Sequence, residues 1–346
     1  MPADNIWDLA IEKARTTEKD ESFQPKDSNI IFLGNKQSGK TSIIYRFVDR
    51  QEIPKPTLAL EYLFGRRSRG LDTAKEVCHI WELGGGLLFT NLLEISITTE
   101  NLLSLSVAIV LDLSVPEELW FTMETLLQAC TDRIKDVLNL HAAKSKELKQ
   151  ILIDKAWKRV GENHEDKDKI NPFPLPLVIF GSKYDIFQNM DPEKKKVISR
   201  CLRFVAHSNG AMLCFVSTKS ENIITKSRAL ISSLVFGTSA SKTVISDYNK
   251  PIYIPFGGDS FKSIGNLTSS DDSGKHFSRS IDMWKHIFLS HFPQVTSKLT
   301  VSEDPGKDPH FKERDIDIMR AQKDKELEEY RRELQKKRKE YDNLDY

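Results

Sequence analysis

The sequence predicts an α/β fold, a mostly parallel sheet with helices on both faces. Three observations carry that prediction. Apolar, strand-like runs alternate with helix-period segments from residue 29 to residue 237. Three of those runs are apolar almost throughout, as strands covered on both sides are: "SVAIVLDLS" (106–114), "LPLVIFGS" (175–182) and "AMLCFVS" (211–217). The first run, 29–33, enters a glycine loop, "GNKQSGKTS" (34–42), and a helix pattern follows that loop.

The elements follow in order. Residues 1–28 are expected to hold a short amphipathic helix over 5–15, with Trp7, Ile11 and Ala14 on one stripe, and then a polar linker. Residues 29–237 read as one phosphate-loop domain. In it a buried strand leads into the loop, a helix runs from Lys40 to Arg50, and "TLALEYLFG" and "EVCHIWEL" form two neighbouring strands. A long, mostly helical insertion occupies about 116–170 and ends in the charged "GENHEDKDK". Helical periods over 191–208 and 221–237 alternate with the later strands. Residues 238–310 form an irregular extension rich in Ser, Gly, Asp and Pro, with one helical patch at 280–292. Residues 311–346 form a charged helix. From residue 312 onward it carries eleven basic and eleven acidic side chains, so it is no basic arm. Glu328 with Arg332 and Glu333 with Lys337 are helix-supporting pairs. Leu327, Tyr330, Leu334, Tyr341 and Leu344 keep a 3,4 spacing that Lys337 interrupts. That pattern leaves open a solvated single helix and a partner-docking or coiled-coil helix.

Composition excludes several classes. The net charge of +1 gives no global attraction to nucleic acid or an anionic membrane. The four cysteines lie far apart without metal-ligand or CxxC spacing, so reduced thiols are expected. No run approaches the length of a membrane helix, and no secretory signal, myristoylation or prenylation pattern is expected. No His/Cys/Asp set has metal spacing in sequence. His79 is expected to be packed or half-exposed within its strand.

Gly34, Gly39, Lys40 and Thr41 fit G-x-x-x-x-G-K-[ST]. The glycines let the backbone fold round a phosphate with its N–H groups inward. Lys40 reaches the β- and γ-phosphates, Thr41 offers a hydroxyl to Mg²⁺, Ser42 joins the phosphate contacts, and the helix adds its positive dipole end. Further motifs arrive in order. Thr57 precedes a strand, where it either closes over a γ-phosphate or is a simple turn residue. "IWELGGG" resembles the D-x-x-G of Ras-like GTPases, with Glu82 in the Asp place and Gly85 as the glycine. "VIFGSKYD" resembles their N-K-x-D through Ser182, Lys183 and Asp185. "FVSTKS" resembles their S-A-K loop through Ser217, Thr218 and Lys219. An acid at Asp185 can accept two hydrogen bonds from guanine, so guanine is the expected base. The expected fold is therefore a P-loop, Ras-like G domain with a helical insertion and a C-terminal extension.

The departures are chemical. Glu82 is one methylene longer than Asp. Gly86 stands where active enzymes of this class carry the glutamine that orients the attacking water. Ser182 shortens the Asn that braces the base loop. The chain is thus expected to bind guanine nucleotide with Mg²⁺ statically, if at all. A GTPase switch that hydrolyses GTP is the alternative, and an ATP-using kinase a third.

Beyond the motifs, "PKPTLALEYLFGRRSRG", "VLDLSVPEELWFTMETLLQA", "NPFPLPLVIFGSKYDIF", "LRFVAHSNGAMLCFVSTKSE" and "ELEEYRRELQKK" resemble the dynein light intermediate chain family, most closely its cytoplasmic dynein 2 branch. That resemblance implies a non-catalytic subunit that packs on the dynein 2 heavy chain beside other dynein 2 subunits and meets microtubules only through the motor. It implies retrograde intraflagellar transport and cilium assembly, in the cytoplasm, the cilium (axoneme and basal body) and the centrosome region, with no nucleic-acid or membrane partner. Candidate heavy-chain surfaces are the helix around Trp7, the 280–292 patch with Trp284, and the last helix. For Trp7 and Trp284, packing within the chain is the competing expectation.

Overall fold

The computed structural model describes residues 27–68, 76–140, 142–239, 241–265, 280–294 and 309–342. The predicted helix at 5–15, with Trp7, lies outside the described residues. Residues 1–299 and residues 300–346 form two separate compact units.

The larger unit is built on a seven-stranded sheet ordered β2-β3-β1-β4-β5-β6-β7. The strands are β1 (Ser28–Leu33), β2 (Leu60–Arg67), β3 (Glu76–Leu83), β4 (Leu105–Asp112), β5 (Leu177–Ser182), β6 (Met212–Phe215) and β7 (Tyr253–Ile254). β3, β1, β4, β5 and β6 pair in parallel. β2 and β7 close the two edges in antiparallel fashion. β5 and β6 are buried throughout, and β4 up to its last residue, as their continuous apolar runs require.

Alternation along the strands divides the core in two. Ile31, Leu33, Val107, Ile109 and Leu111 face α3 (Pro116–Leu140) and α6 (Pro192–Ser208). Ile30, Phe32, Ala108, Val110 and Phe180 face α1 (Lys40–Phe47) and α7 (Glu221–Phe236). Asp191 caps α6, its carboxylate accepting from the Glu193 and Lys194 amides, with Pro192 at the first turn.

The segment expected as a helical insertion over 116–170 consists of α3, α4 (Ala142–Val160) and a turn-rich stretch. Leu119, Met123, Leu126, Cys130, Ile134 and Val137 put a buried stripe of α3 against the sheet. α3 is thus the covering layer that a parallel β4–β5 crossover needs. After residue 237 the chain is less irregular than its composition suggests. Among the described residues, the stretch from 238 to 294 adds β7 and two helices, α8 (Phe261–Ile264) and α9 (Ser280–His291).

Of the two expectations for Trp284, the structure bears out packing within the chain. Trp284, on α9, is 3% exposed and stacks on Phe204 of α6 with ring centroids 4.7 Å apart. Ile287 and Phe288 are buried with it, and Phe288 meets Trp120 of α3 at 5.6 Å. The apolar face of α9 is consumed by the fold, so Trp284 is no docking side chain. His79 is half-buried in β3, with its Nδ1 2.7 Å from the Tyr62 hydroxyl. All four cysteines are buried and free.

The smaller unit, considered by itself, is a 3-10 turn at Pro309–Phe311 and a 29-residue helix, α10 (Arg314–Asp342).

Candidate functional site

The glycine loop joins β1 to α1 at the carboxyl ends of the parallel strands. This is where an open α/β sheet presents a crevice. Only glycine fits at Gly34, because a Cβ there would lie 2.2 Å from the Val110 carbonyl oxygen of the neighbouring strand. Gly39 adopts a left-handed conformation (φ 90°) to start α1.

Lys40 is 5% exposed, and its Nζ donates to the Gly34 and Asn35 carbonyls at 3.0 and 2.9 Å. Burial pulls its pKa below the usual lysine value, and nearby Glu82 partly offsets that pull. Glu82, at the end of β3, is 1% exposed. Its Oε1 accepts from the Thr41 hydroxyl at 2.8 Å, while Oε2 is buried with no hydrogen-bond partner. Burial pushes the Glu82 pKa up, against the opposing pull of Lys40 and Thr41. The Thr57 hydroxyl lies 3.5 Å from that of Thr41 and donates to Glu61 at 3.3 Å. Thr57 therefore lies beside the loop.

Gly86 sits directly on this loop. It is left-handed (φ 64°), and a Cβ there would stand 3.3 Å from Asn35 Oδ1 and 3.6 Å from the Lys36 amide. Glycine contributes no side-chain functional group to these neighbours.

On the other side, β5 delivers Ser182, Lys183 and Asp185. Lys183 is left-handed (φ 57°) and its ammonium pairs with Asp112 at the end of β4. Asp185 accepts from the Ser217 hydroxyl at 2.8 Å through Oδ1 and pairs with Lys219 at 2.7 Å through Oδ2. The Lys219 contact leads in holding its carboxyl below the usual range. Ser182 is buried and donates to the Leu111 carbonyl at 3.1 Å, so it braces β4 rather than the base loop. An open cleft of about 450 Å³ runs along Ser42, Tyr45 and Arg46 of α1 and the 49–54 segment, with Thr218 also lining it. Arg46 crosses from α1 to the Thr218 carbonyl at 3.3 Å.

The predicted residues thus fall into two groups on the same edge of the sheet: Gly34, Gly39, Lys40, Thr41, Ser42 and Thr57 around the loop, and Lys183, Asp185, Ser217 and Lys219 around the base position. Sequence reasoning missed Asn35 and Asp112. Asn35 Nδ2 donates to Glu118 Oε2 at 2.7 Å and Thr122 Oγ1 at 2.8 Å, tethering the loop to α3. For Asp112 a signal exists, since it is the acid that closes a buried strand at the binding edge.

A second polar cluster was invisible in spacing. His164, Asp166 and His207 bring their ligand atoms within 4.8 Å of one another. Asp166 accepts from His207 at 2.9 Å and from the Phe261 amide at 2.8 Å. Its own amide donates to His164 Nδ1, and His164 Nε2 donates to the Asp259 carbonyl. Arg203 grips Asp259 through two bonds of 2.8 and 2.6 Å and also holds Ser263. These atoms satisfy one another, and a guanidinium sits one helical turn from His207. The cluster is a clasp that binds the α4–β5 connection, α6 and the 259–263 segment together.

The fold and the loop define a P-loop protein of the G-domain type. Comparison with known proteins makes this specific. The family model for the dynein light intermediate chain (DLIC) matches residues 2–174. The chain is 44% identical to cytoplasmic dynein 2 light intermediate chain 1 of Bos taurus and 43% identical to that of Homo sapiens, covering 97% of each chain in both cases. Cytoplasmic dynein 1 light intermediate chain 1 of Rattus norvegicus is 25% identical over 76% of this chain and 55% of its own. A crystal structure of the dynein light intermediate chain's conserved domain superposes with a TM-score of 0.53 at 16% identity, covering 81% of this chain and 99% of that one, which supports the shared fold. The chain belongs to the dynein light intermediate chain family.

Proposed function

We propose that this chain is a non-catalytic light intermediate chain of a cytoplasmic dynein 2 motor, binding and stabilising the heavy chain for retrograde intraflagellar transport and cilium assembly. The observation that carries this reading is 44% identity along 97% of both chains to relatives of that name. On this reading the protein works in the cytoplasm, at the cilium and near the centrosome, with microtubules reached only through the motor. Among the described residues no helix is long and apolar enough to cross a membrane.

Chemistry supports a site that grips and does not cleave. The cradle at Gly34, Gly39, Lys40 and Thr41 fits a nucleotide phosphate, and the buried, half-satisfied Glu82 fits a cation held through Thr41. Asp185, between Ser217 and Lys219, fits a guanine edge. A bound Mg²⁺ would neutralise phosphate charge, while Lys40 and the loop amides hold the phosphate oxygens. Gly86 supplies nothing to aim a water, and hydrolysis depends on that aim. The GTPase-switch reading is therefore not favoured.

Two measurements test the proposal. Co-expression with a dynein 2 heavy-chain tail should yield a stable complex, and failure to co-purify would sink the subunit reading. Nucleotide released from the purified chain should be a guanine nucleotide without turnover. Lys40→Ala should lose it, together with the stabilisation a ligand confers, about 2.7 kcal/mol at a hundredfold excess over Kd. Rapid GTP hydrolysis by the isolated chain would end the static account.

A further inference from the structure

Every residue from 312 to 337 is exposed, so within its own unit α10 shows an uncovered apolar face. Ile316, Leu327, Tyr330 and Leu334 lie along it at 60%, 47%, 60% and 48% exposure. Their spacing is a heptad, with Leu327 and Leu334 at a, and Ile316 and Tyr330 at d. In sequence, Tyr341 takes the next a position.

The flanking charges say what covers this face. Glu326 and Glu333 occupy g, Arg331 occupies e, and in sequence Arg338 takes the following e. In a parallel, in-register pair, g of one helix meets the e of the next heptad on its partner. Glu326 then faces Arg331, and Glu333 faces Arg338, each twice by symmetry. An antiparallel pair would set glutamate against glutamate and arginine against arginine. The core positions choose the strand number. Arg320 falls at a, and Lys323 and Lys337 at d. Long basic side chains can reach water from a two-stranded seam, but a three-stranded core would bury them. Within each helix, Lys323–Glu326 at 2.6 Å and Arg332–Glu328 at 3.4 Å support the helical state.

We propose that α10 pairs with α10 of a second copy of this chain as a parallel, two-stranded coiled coil. The seam holds few apolar layers and several basic side chains, so the association is weak and concentration-dependent.

The full-length chain tests this directly. Tyr330→Cys should form a disulfide-linked dimer under mild oxidation, whereas Glu328→Cys, on the outer face, should not. The native cysteines are buried and do not compete. By sedimentation, the double variant Glu326→Arg/Glu333→Arg should self-associate at least about tenfold more weakly. Mixing it with Arg331→Glu/Arg338→Glu should restore association as a heterodimer. Residues 326, 331 and 333 are exposed, and an unchanged melting curve for the rest of the chain confirms folding. A wild-type chain that stays monomeric with no Tyr330→Cys cross-link, equal cross-linking at 328 and 330, or failure of the mixed pair would overturn the proposal.

Discussion

Two buried polar clusters lie at opposite edges of the same sheet, and they are built in opposite ways. At the carboxyl edge, the cradle keeps Glu82 almost fully buried with one oxygen unpaired, and Lys40 turned onto its own loop carbonyls. At the amino edge, the clasp pairs Arg203 with Asp259 and His207 with Asp166, each carboxylate carrying further bonds. Burying charge without full compensation costs stability, and a bound cation or phosphate can recover that cost. Burying charge in closed pairs mainly fixes geometry. The first cluster leaves a buried polar atom open, and the second closes on itself.

The sharpest way to break this contrast is at the clasp. Asp259→Ala should destabilise by about 3–5 kcal/mol, because it leaves the Arg203 charge buried and alone. The double change Arg203→Met/Asp259→Leu should recover much of that loss. Thermal unfolding reads both, and a mild effect of Asp259→Ala would mean that the clasp is ornamental.

A smaller effect is expected at the cradle. Gly86→Gln imposes a left-handed conformation on a side chain that meets Asn35, at a cost of about 1–2 kcal/mol. It should not create GTP hydrolysis, because the strained backbone cannot present the amide correctly. An active Gly86→Gln variant would show that one missing side chain was the whole defect.

The two clusters should also respond oppositely to pH, with the smallest effects. The Glu82 pKa is raised by burial, so the folded chain holds that proton more tightly than the unfolded chain does. Its contribution is fully favourable below the ordinary value of 4.5 and declines as pH rises through the folded value. The His207 pKa is lowered, chiefly by burial, so the unfolded chain binds that proton more readily. Its contribution is complete above 6.5 and is lost as pH falls toward the folded value. Glu82→Gln should remove the first slope and His207→Gln the second, each read from melting temperature against pH.

Much of the architecture was legible because it rests on local rules. Apolar runs over 106–114, 175–182 and 211–217 became β4, β5 and β6, because a strand buried on both faces has no polar position to spare. The turn from β1 into α1 was legible because its glycines, lysine and hydroxyl stand at fixed short intervals. The meeting of Asp185, Ser217 and Lys219 was legible too, since two separate motifs singled them out and the folded chain brings them together. Trp284 was harder, because an amphipathic helix looks the same whether its apolar face meets its own domain or a partner. Only the stacking on Phe204 shows that α9 is already covered.

The sequence alone determined the α/β alternation, the glycine loop between β1 and α1 and the bare backbone at Gly86, because each depends on residue type and short-range spacing. Tertiary structure decided that Glu82 is buried with an unpaired oxygen, that Asn35 is tied to α3, and that His164, Asp166, His207, Arg203 and Asp259 form one clasp. Burial and long-range pairing depend on which distant segments the folded sheet brings within hydrogen-bond reach, and no local pattern in the chain encodes that distance.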